Sequence, residues 1–121
     1  MSQSRRSILL AASVALLGIT PSFGQQSCKP DLALTEARLS DAEDLRRTWT
    51  AVVRADAARC AAPSGDFEVR FIRLKENAPD LAFSQTFTWK QGQTEIALEF
   101  WADETVLDYA IGAVASCACR N

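Results

Sequence analysis

The chain has 121 residues, 48% of them hydrophobic and 23% charged, with 15 acidic residues, 13 basic residues and no histidine. The lack of histidine excludes Ser-His-Asp and Cys-His catalysis, and the slight acidic excess leaves no basic surface for a nucleic-acid partner. The sequence contains neither a Gly-rich phosphate loop nor a paired C-x-x-C metal motif. We therefore expect a protein that is not an enzyme and carries no cofactor or metal.

The first 24 residues are typical of a secretory signal peptide. Arg5 and Arg6 form its charged start, an apolar run of about 12 residues extends from Ile8 to Ile19, and small residues precede the predicted cleavage after Gly24. This run is shorter than the roughly 18 to 20 residues that cross a bilayer, so we expect no transmembrane segment in the mature chain. The arginine pair also resembles a twin-arginine export signal, but an ordinary Sec leader is the simpler interpretation. The predicted location is the periplasm or the exterior of a bacterial cell.

Removal of 24 residues from the 121 leaves 97, residues 25–121, which is enough for one small domain. Two of the 13 basic residues are lost with the leader, so 11 basic residues remain against 15 acidic ones. We expect a single domain that exists as a monomer.

Six stretches of the mature chain alternate apolar and polar residues as β-strands do: residues 31–39, 48–57, 66–74, 81–89, 94–101 and 106–115. The third is the clearest, because Phe67, Val69 and Phe71 share one face. The fourth and fifth, separated by "KQGQ", are predicted to form a hairpin. The aromatic residues of these stretches are predicted to form the core: Trp49, Phe67, Phe71, Phe83, Phe87 and Trp89.

This pattern predicts an all-β protein, a small antiparallel β-sandwich of six to seven strands. Its size and strand spacing are similar to those of immunoglobulin-like and fibronectin type III domains, a resemblance of architecture that implies no activity. Residues 41–61 leave an alternative open, because "SDAE" (40–43) fits a helix capping box and an α+β fold would follow. The β-branched and aromatic residues at 48–53 favour a strand.

Four cysteines, Cys28, Cys60, Cys117 and Cys119, predict two disulfides. Residues i and i+2 of a strand lie roughly 6.6 to 7 Å apart, which disfavours a direct Cys117–Cys119 bond because a disulfide brings its Cβ atoms to about 3.8 Å. If successive strands reverse direction, all four cysteines lie at one end of the sandwich, and the C-terminal pair bonds to Cys28 and Cys60. The alternative is a Cys28–Cys60 bond that leaves Cys117 and Cys119 as an exchangeable redox pair.

The loops expected at the opposite end, residues 40–45, 75–80 and 102–105, are rich in carboxylates and adjoin an exposed tryptophan. Such a surface is able to contact a cation, a basic peptide or the positive rim of a partner, although solvated surface loops have the same composition. The candidate binding residues are Trp101, Asp103, Glu104, Asp80, Glu76 and Asp44.

These observations predict an exported, non-catalytic β-sandwich that binds a protein or an envelope component of the cell. One alternative is a periplasmic thiol-disulfide exchange protein that uses "CAC" (117–119). Another is an inhibitor of a secreted enzyme that inserts the loop "KENAPD" (75–80).

Overall fold

The computed structural model describes residues 27–121, so the predicted leader and its cleavage site lie outside the described residues. Eight strands are present in these residues: β1 (Ser27–Cys28), β2 (Asp31–Leu39), β3 (Arg46–Asp56), β4 (Ser64–Lys75), β5 (Ala78–Lys90), β6 (Gly92–Trp101), β7 (Glu104–Val114) and β8 (Cys117–Ala118). No helix occurs within residues 27–121. The all-β prediction is confirmed, and the helical alternative for residues 41–61 is wrong because β3 occupies this segment.

The strands form two three-stranded antiparallel sheets, with the orders β2-β3-β6 and β5-β4-β7, and a short third pair, β1-β8. The predicted hairpin of the fourth and fifth stretches is wrong, because β5 and β6 belong to different sheets. Gln91 connects them where the chain crosses between the sheets. Its backbone N–H donates to the Pro63 carbonyl at 2.9 Å, and its side-chain Oε1 accepts from the Ala57 N–H at 2.8 Å.

The core lies between the two sheets, where the alternating residues of β3 and β4 face each other. Trp49 of β3 and Phe71 of β4 are buried and meet edge to face, with ring centroids 4.8 Å apart. Phe83 stacks on Phe71 at 5.3 Å, and Phe100 contacts both rings. The aromatic residues predicted for the core are all there, with Phe83 and Phe87 half-buried because they lie on an edge strand.

The cysteine end of the sandwich, where all four cysteines lie, contains the disulfides Cys28–Cys119 and Cys60–Cys117. All four residues are described, and none of them is free. The predicted cross-pairing is confirmed, and the alternative with an exchangeable Cys117–Cys119 pair is wrong, because alternating strand directions place the upstream cysteines beside the C-terminal segment. Two disulfides fit an oxidising environment, outside the cell or in a periplasm.

The disulfides also distinguish this sandwich from an immunoglobulin domain, whose cystine joins the two sheets between strands B and F. Here each bridge lies beyond the ends of the long strands, and β8 pairs with β1. The Ala61 N–H donates to the Ala118 carbonyl at 2.8 Å, and the Arg120 N–H donates to the Arg59 carbonyl at 2.7 Å. The C-terminal segment is thus held by backbone hydrogen bonds as well as by sulfur. The immunoglobulin-like assignment itself stays a prediction.

Candidate functional site

The acidic segments meet at the end of the sandwich opposite the cysteines, which we call the loop end: residues 40–45, 76–77 and 102–103. The Ala102 N–H donates to the Leu45 carbonyl at 2.8 Å, and the Glu76 N–H donates to the Asp103 carbonyl at 3.4 Å. These contacts bring together the segments that contain five of the predicted site residues, Asp44, Glu76, Trp101, Asp103 and Glu104. The sixth, Asp80, is the third residue of β5 and makes none of these contacts. The convergence of the segments follows from the antiparallel strand directions within both sheets.

The segment expected to insert as a loop, residues 75–80, is mostly strand. Only Glu76 and Asn77 form the turn between β4 and β5, and residues 78–80 already belong to β5. Asn77 has a φ of 57°, a left-handed conformation that Asn tolerates better than most residues. The loop expected over residues 75–80 is thus reduced to a two-residue turn, because Glu76 and Asn77 suffice to reverse the chain.

Glu104 is a buried carboxylate, unlike its predicted place in an exposed acidic loop. Its side chain is 7% exposed; Oε2 accepts from Arg73 Nη1 at 3.0 Å, and Oε1 accepts from the Trp101 N–H at 2.6 Å. Arg47 donates to the backbone carbonyl of Glu104 at 3.1 Å. A buried charge is stable only when it is paired, and Arg73 supplies that pairing. Glu104 therefore fixes the backbone of Trp101. Its carboxylate is already paired with Arg73 and does not present an unpaired charge to a ligand.

Cations from the strand ends neutralise part of the acidic surface. Arg46 pairs with Glu99 at 2.6 Å, and Lys75 pairs with Asp103 at 2.8 Å. The hydrogen bond and charge of Lys75 lower the pKa of Asp103 below its ordinary value. The sequence predicted a carboxylate-rich end because only loop residues were considered, and the arginines at the strand termini were left out. The loop end is a mixed-charge surface as a result.

Trp101 is the aromatic residue that the loop end presents to solvent, with 54% of its surface exposed. The Arg46 guanidinium lies over its ring, with Cζ 5.4 Å from the ring centroid. The backbone on both sides is held, since Glu104 accepts from the Trp101 N–H and Leu45 accepts from the Ala102 N–H. A fixed, half-exposed indole is the type of residue on which binding energy concentrates in interfaces.

A cleft of about 370 Å³ opens beside this tryptophan, in the gap between edge strands β5 and β6. Four apolar residues line it from the two strands: Leu81, Phe83, Leu98 and Phe100. The polar lining consists of Arg46, Arg73, Glu99 and Glu104. The combination is an apolar slot with one buried ion pair and a mouth flanked by Trp101.

Arg73 has a hydrogen-bonding capacity that its protein contacts do not use. Its side chain is 17% exposed, Nη1 donates to Glu104, and Nη2 reaches the Pro79 carbonyl at 3.5 Å. Its Nε is buried and has no partner among the groups that the structure describes. The Nη2 contact at 3.5 Å is long for a hydrogen bond, so Nη2 is the Arg73 group that a ligand acceptor in the cleft would engage.

Arg73 was not among the predicted site residues, although its position in the β4 sequence pattern carried a signal. Phe67, Val69, Phe71 and Arg73 have the same parity on β4, so Arg73 extends an otherwise apolar inward face. A charged residue at such a position needs a partner or a function, and Arg73 has the partner Glu104. The apolar lining at Leu81, Phe83 and Leu98 had been attributed to core packing or left unassigned.

No protein-family model, curated protein or solved structure matches this chain. Within residues 27–121, no helix has the length and apolar character needed to span a bilayer. In the same part of the chain, no three acidic or sulfur-containing side chains are grouped so that they could bind a metal ion.

Proposed function

We propose that this chain is an exported, non-catalytic binding module that takes an apolar group of its ligand into the cleft beside Trp101. The observation that carries the proposal is the cleft itself, an apolar slot whose mouth is flanked by a fixed, exposed indole. Ligand pockets combine mostly apolar walls with a few placed polar groups, and this cleft has that composition. Its volume is at the small end for ligand pockets, so it accommodates a side chain or a small amphiphile.

The polar residues of the cleft indicate which polar groups the ligand has beside its apolar part. Arg73, which lines the cleft and is 17% exposed, can donate from Nη2 to a ligand acceptor, and Arg46 adds a second positive group above Trp101. The ligand expected from this lining has an apolar or aromatic part that bears a carbonyl, carboxylate or similar acceptor. A protein side chain next to a backbone carbonyl meets this description, and so does an acylated or aromatic envelope component.

The two alternatives from the sequence analysis receive no support from the geometry. Thiol-disulfide exchange required a strained Cys117–Cys119 bond, whereas each of these residues bonds to an upstream cysteine. Cys60 is 2% exposed, which shields one of the two bridges from an attacking thiolate. The inhibitor hypothesis required an inserted loop at residues 75–80, which form a tight turn and the start of β5.

The experiment uses 8-anilinonaphthalene-1-sulfonate, an aromatic anion that matches both parts of the lining. Trp49 and Trp89 are buried, so solvent-exposed tryptophan fluorescence comes from Trp101. We expect saturable dye binding with energy transfer from Trp101 and reduced quenching of Trp101 by iodide.

Trp101→Ala should weaken dye affinity about tenfold, the effect of losing a modest hot-spot contact. Leu107→Ala is the matched control, since Leu107 is 52% exposed and does not line the cleft. Its dye affinity should equal that of the wild type. Absence of saturable binding, or an equal loss in both variants, would overturn the proposed function.

A further inference from the structure

Strand β5 is an edge strand of unusual length. It has 13 residues, and β4 is its only neighbour in the described part of the chain. An edge strand presents a row of unpaired backbone N–H and C=O groups, which makes it a template for another strand. The ladder between β5 and β4 is continuous from Lys90 to Leu81, so this edge runs without a bulge over that length.

β5 also lacks the charged side chains that protect edge strands. Residues 81–88, "LAFSQTFT", contain no charge, proline or glycine. Its only charged residues are Asp80 near its start and Lys90 at its end. Lysine, proline and bulges are the usual means by which proteins block edge-to-edge pairing, and the centre of β5 has none of them.

The other three edges of the sandwich are protected. β2 contains a bulge between Thr35 and Arg38, with Glu36 at a φ of 53°. β6 carries Glu95 and Glu99 within its central part. β7 has two irregularities in its register with β4. The contrast singles out β5 as the edge that is open to another strand.

We propose that β5 pairs antiparallel with β5 of a second copy of this chain, with Gln85 of the two copies opposite each other on a two-fold axis. In this register Asp80 of each copy faces Lys90 of the other, so two opposite-charge pairs form at the ends of the interface. Phe83 faces Phe87 of the second copy, a favourable aromatic pair on the inner face. The charges at the two ends of β5 thus complement each other across this two-fold axis.

Other registers lose this complementarity. A shift of one or two residues in either direction places both Asp80 and Lys90 opposite uncharged residues. Gln85 pairs with itself, a polar contact that carries no charge repulsion. The product is a six-stranded continuous sheet, β7-β4-β5 joined to the same strands of the second copy. This dimer replaces the monomer expected from the sequence, and it does not rest on the proposed binding function.

A charge-swap experiment tests the interface. Sedimentation velocity of the mature wild-type protein over a wide concentration range should show a concentration-dependent dimer. Gln85→Lys and Gln85→Glu each place like charges directly opposite each other, so each variant alone should be monomeric. An equimolar mixture of the two variants should form a heterodimer. Gln93→Lys, at an exposed position of edge strand β6, is the control and should dimerise as the wild type does.

A cross-linking experiment tests the register. Gln85→Cys should form an intermolecular disulfide under mild oxidation, because its two copies are directly opposite. Ser84→Cys and Thr86→Cys should each fail to cross-link alone, since diagonal neighbours are about 7 to 8 Å apart. Mixed together, these two variants should cross-link to each other. A wild-type protein that stays monomeric at every concentration, or a mixture without cross-links, would overturn the proposal and leave the edge to a strand of a different protein.

Discussion

Replacing both Cys28 and Cys119 with serine removes one disulfide and leaves Cys60–Cys117 intact. Both residues are half-buried, so the substitution disturbs little packing and isolates the effect of the cross-link. The two bridges close loops of different length in the unfolded chain. The sequence separations are 57 for Cys60–Cys117 and 91 for Cys28–Cys119, and the shorter loop lies inside the longer one.

The nested arrangement of the two loops determines how much the outer bridge contributes to the free energy of unfolding. With the inner loop already closed, the outer bridge constrains only the remaining segments, about 34 residues, which is the difference between the two separations. The chain-entropy relation for a loop of this size predicts a loss of about 4 kcal/mol in the free energy of unfolding. For a domain of this size, the melting temperature should fall by about 15 to 30 °C.

Equilibrium urea unfolding, followed by the fluorescence of buried Trp49 and Trp89, measures the loss. The control is the same comparison in a strong reductant, where wild type and variant should have equal stability because neither retains a bridge. A loss below about 1 kcal/mol in the oxidised state would refute the loop-entropy reasoning. Unequal stabilities in the reductant would show that the serines themselves perturb the fold.

Three further predictions concern single side chains. Glu104→Ala should lower the free energy of unfolding by about 3 kcal/mol in urea titrations, because Arg73 keeps a largely buried charge without a partner; a loss under about 1 kcal/mol would contradict the buried ion pair. Because Lys75 lowers the pKa of Asp103 below its ordinary 3.8, the carboxylate stabilises the fold above that pH and loses this effect as the pH falls through the folded-state pKa. Asp103→Asn should therefore be less stable than wild type at neutral pH and equal to it in strong acid, and a difference independent of pH would exclude this linkage. Gly92→Ala should cost about 1 to 2 kcal/mol in thermal unfolding, since φ is 96° there, and an unchanged melting temperature would contradict that strain.

Most of the strand content was predictable from the sequence, because each long strand packs one face against the core. The first predicted stretch, residues 31–39, coincides with β2, and the inward faces of β3 and β4 contain the residues expected from the alternation. Strand directions and the spacing of Cys117 and Cys119 predicted that the C-terminal pair bonds to Cys28 and Cys60, and the structure decides which partner each one has. Local periodicity and simple geometry were sufficient for these features.

The connection between β5 and β6 was not predictable in the same way. A hairpin turn and a crossing between sheets have the same local signature, a short polar segment with glycine between two alternating stretches. The difference lies in the contacts of Gln91 with Ala57 and Pro63, which are distant in the chain. Single-sequence patterns do not contain such contacts.

The candidate site was predictable in part. Its location at one end and the exposure of Trp101 followed from strand direction and side-chain alternation. The burial of Glu104 depends on Arg73, a residue 31 positions away on another strand, so loop composition alone misplaced it. The cleft arises from the gap between the two edge strands and could not be anticipated before the sheets were known.

Each disulfide contains one cysteine, Cys119 or Cys117, that follows the six long strands in the sequence. Neither native bond can form until β7 has been synthesised and has reached an oxidising compartment. Before that point Cys28 and Cys60 have only each other as partners, and a bond between them would be non-native. Formation of the native bonds is therefore ordered in time: oxidation before Cys117 and Cys119 are available favours a Cys28–Cys60 isomer, and that isomer reaches the native pairing by thiol-disulfide exchange.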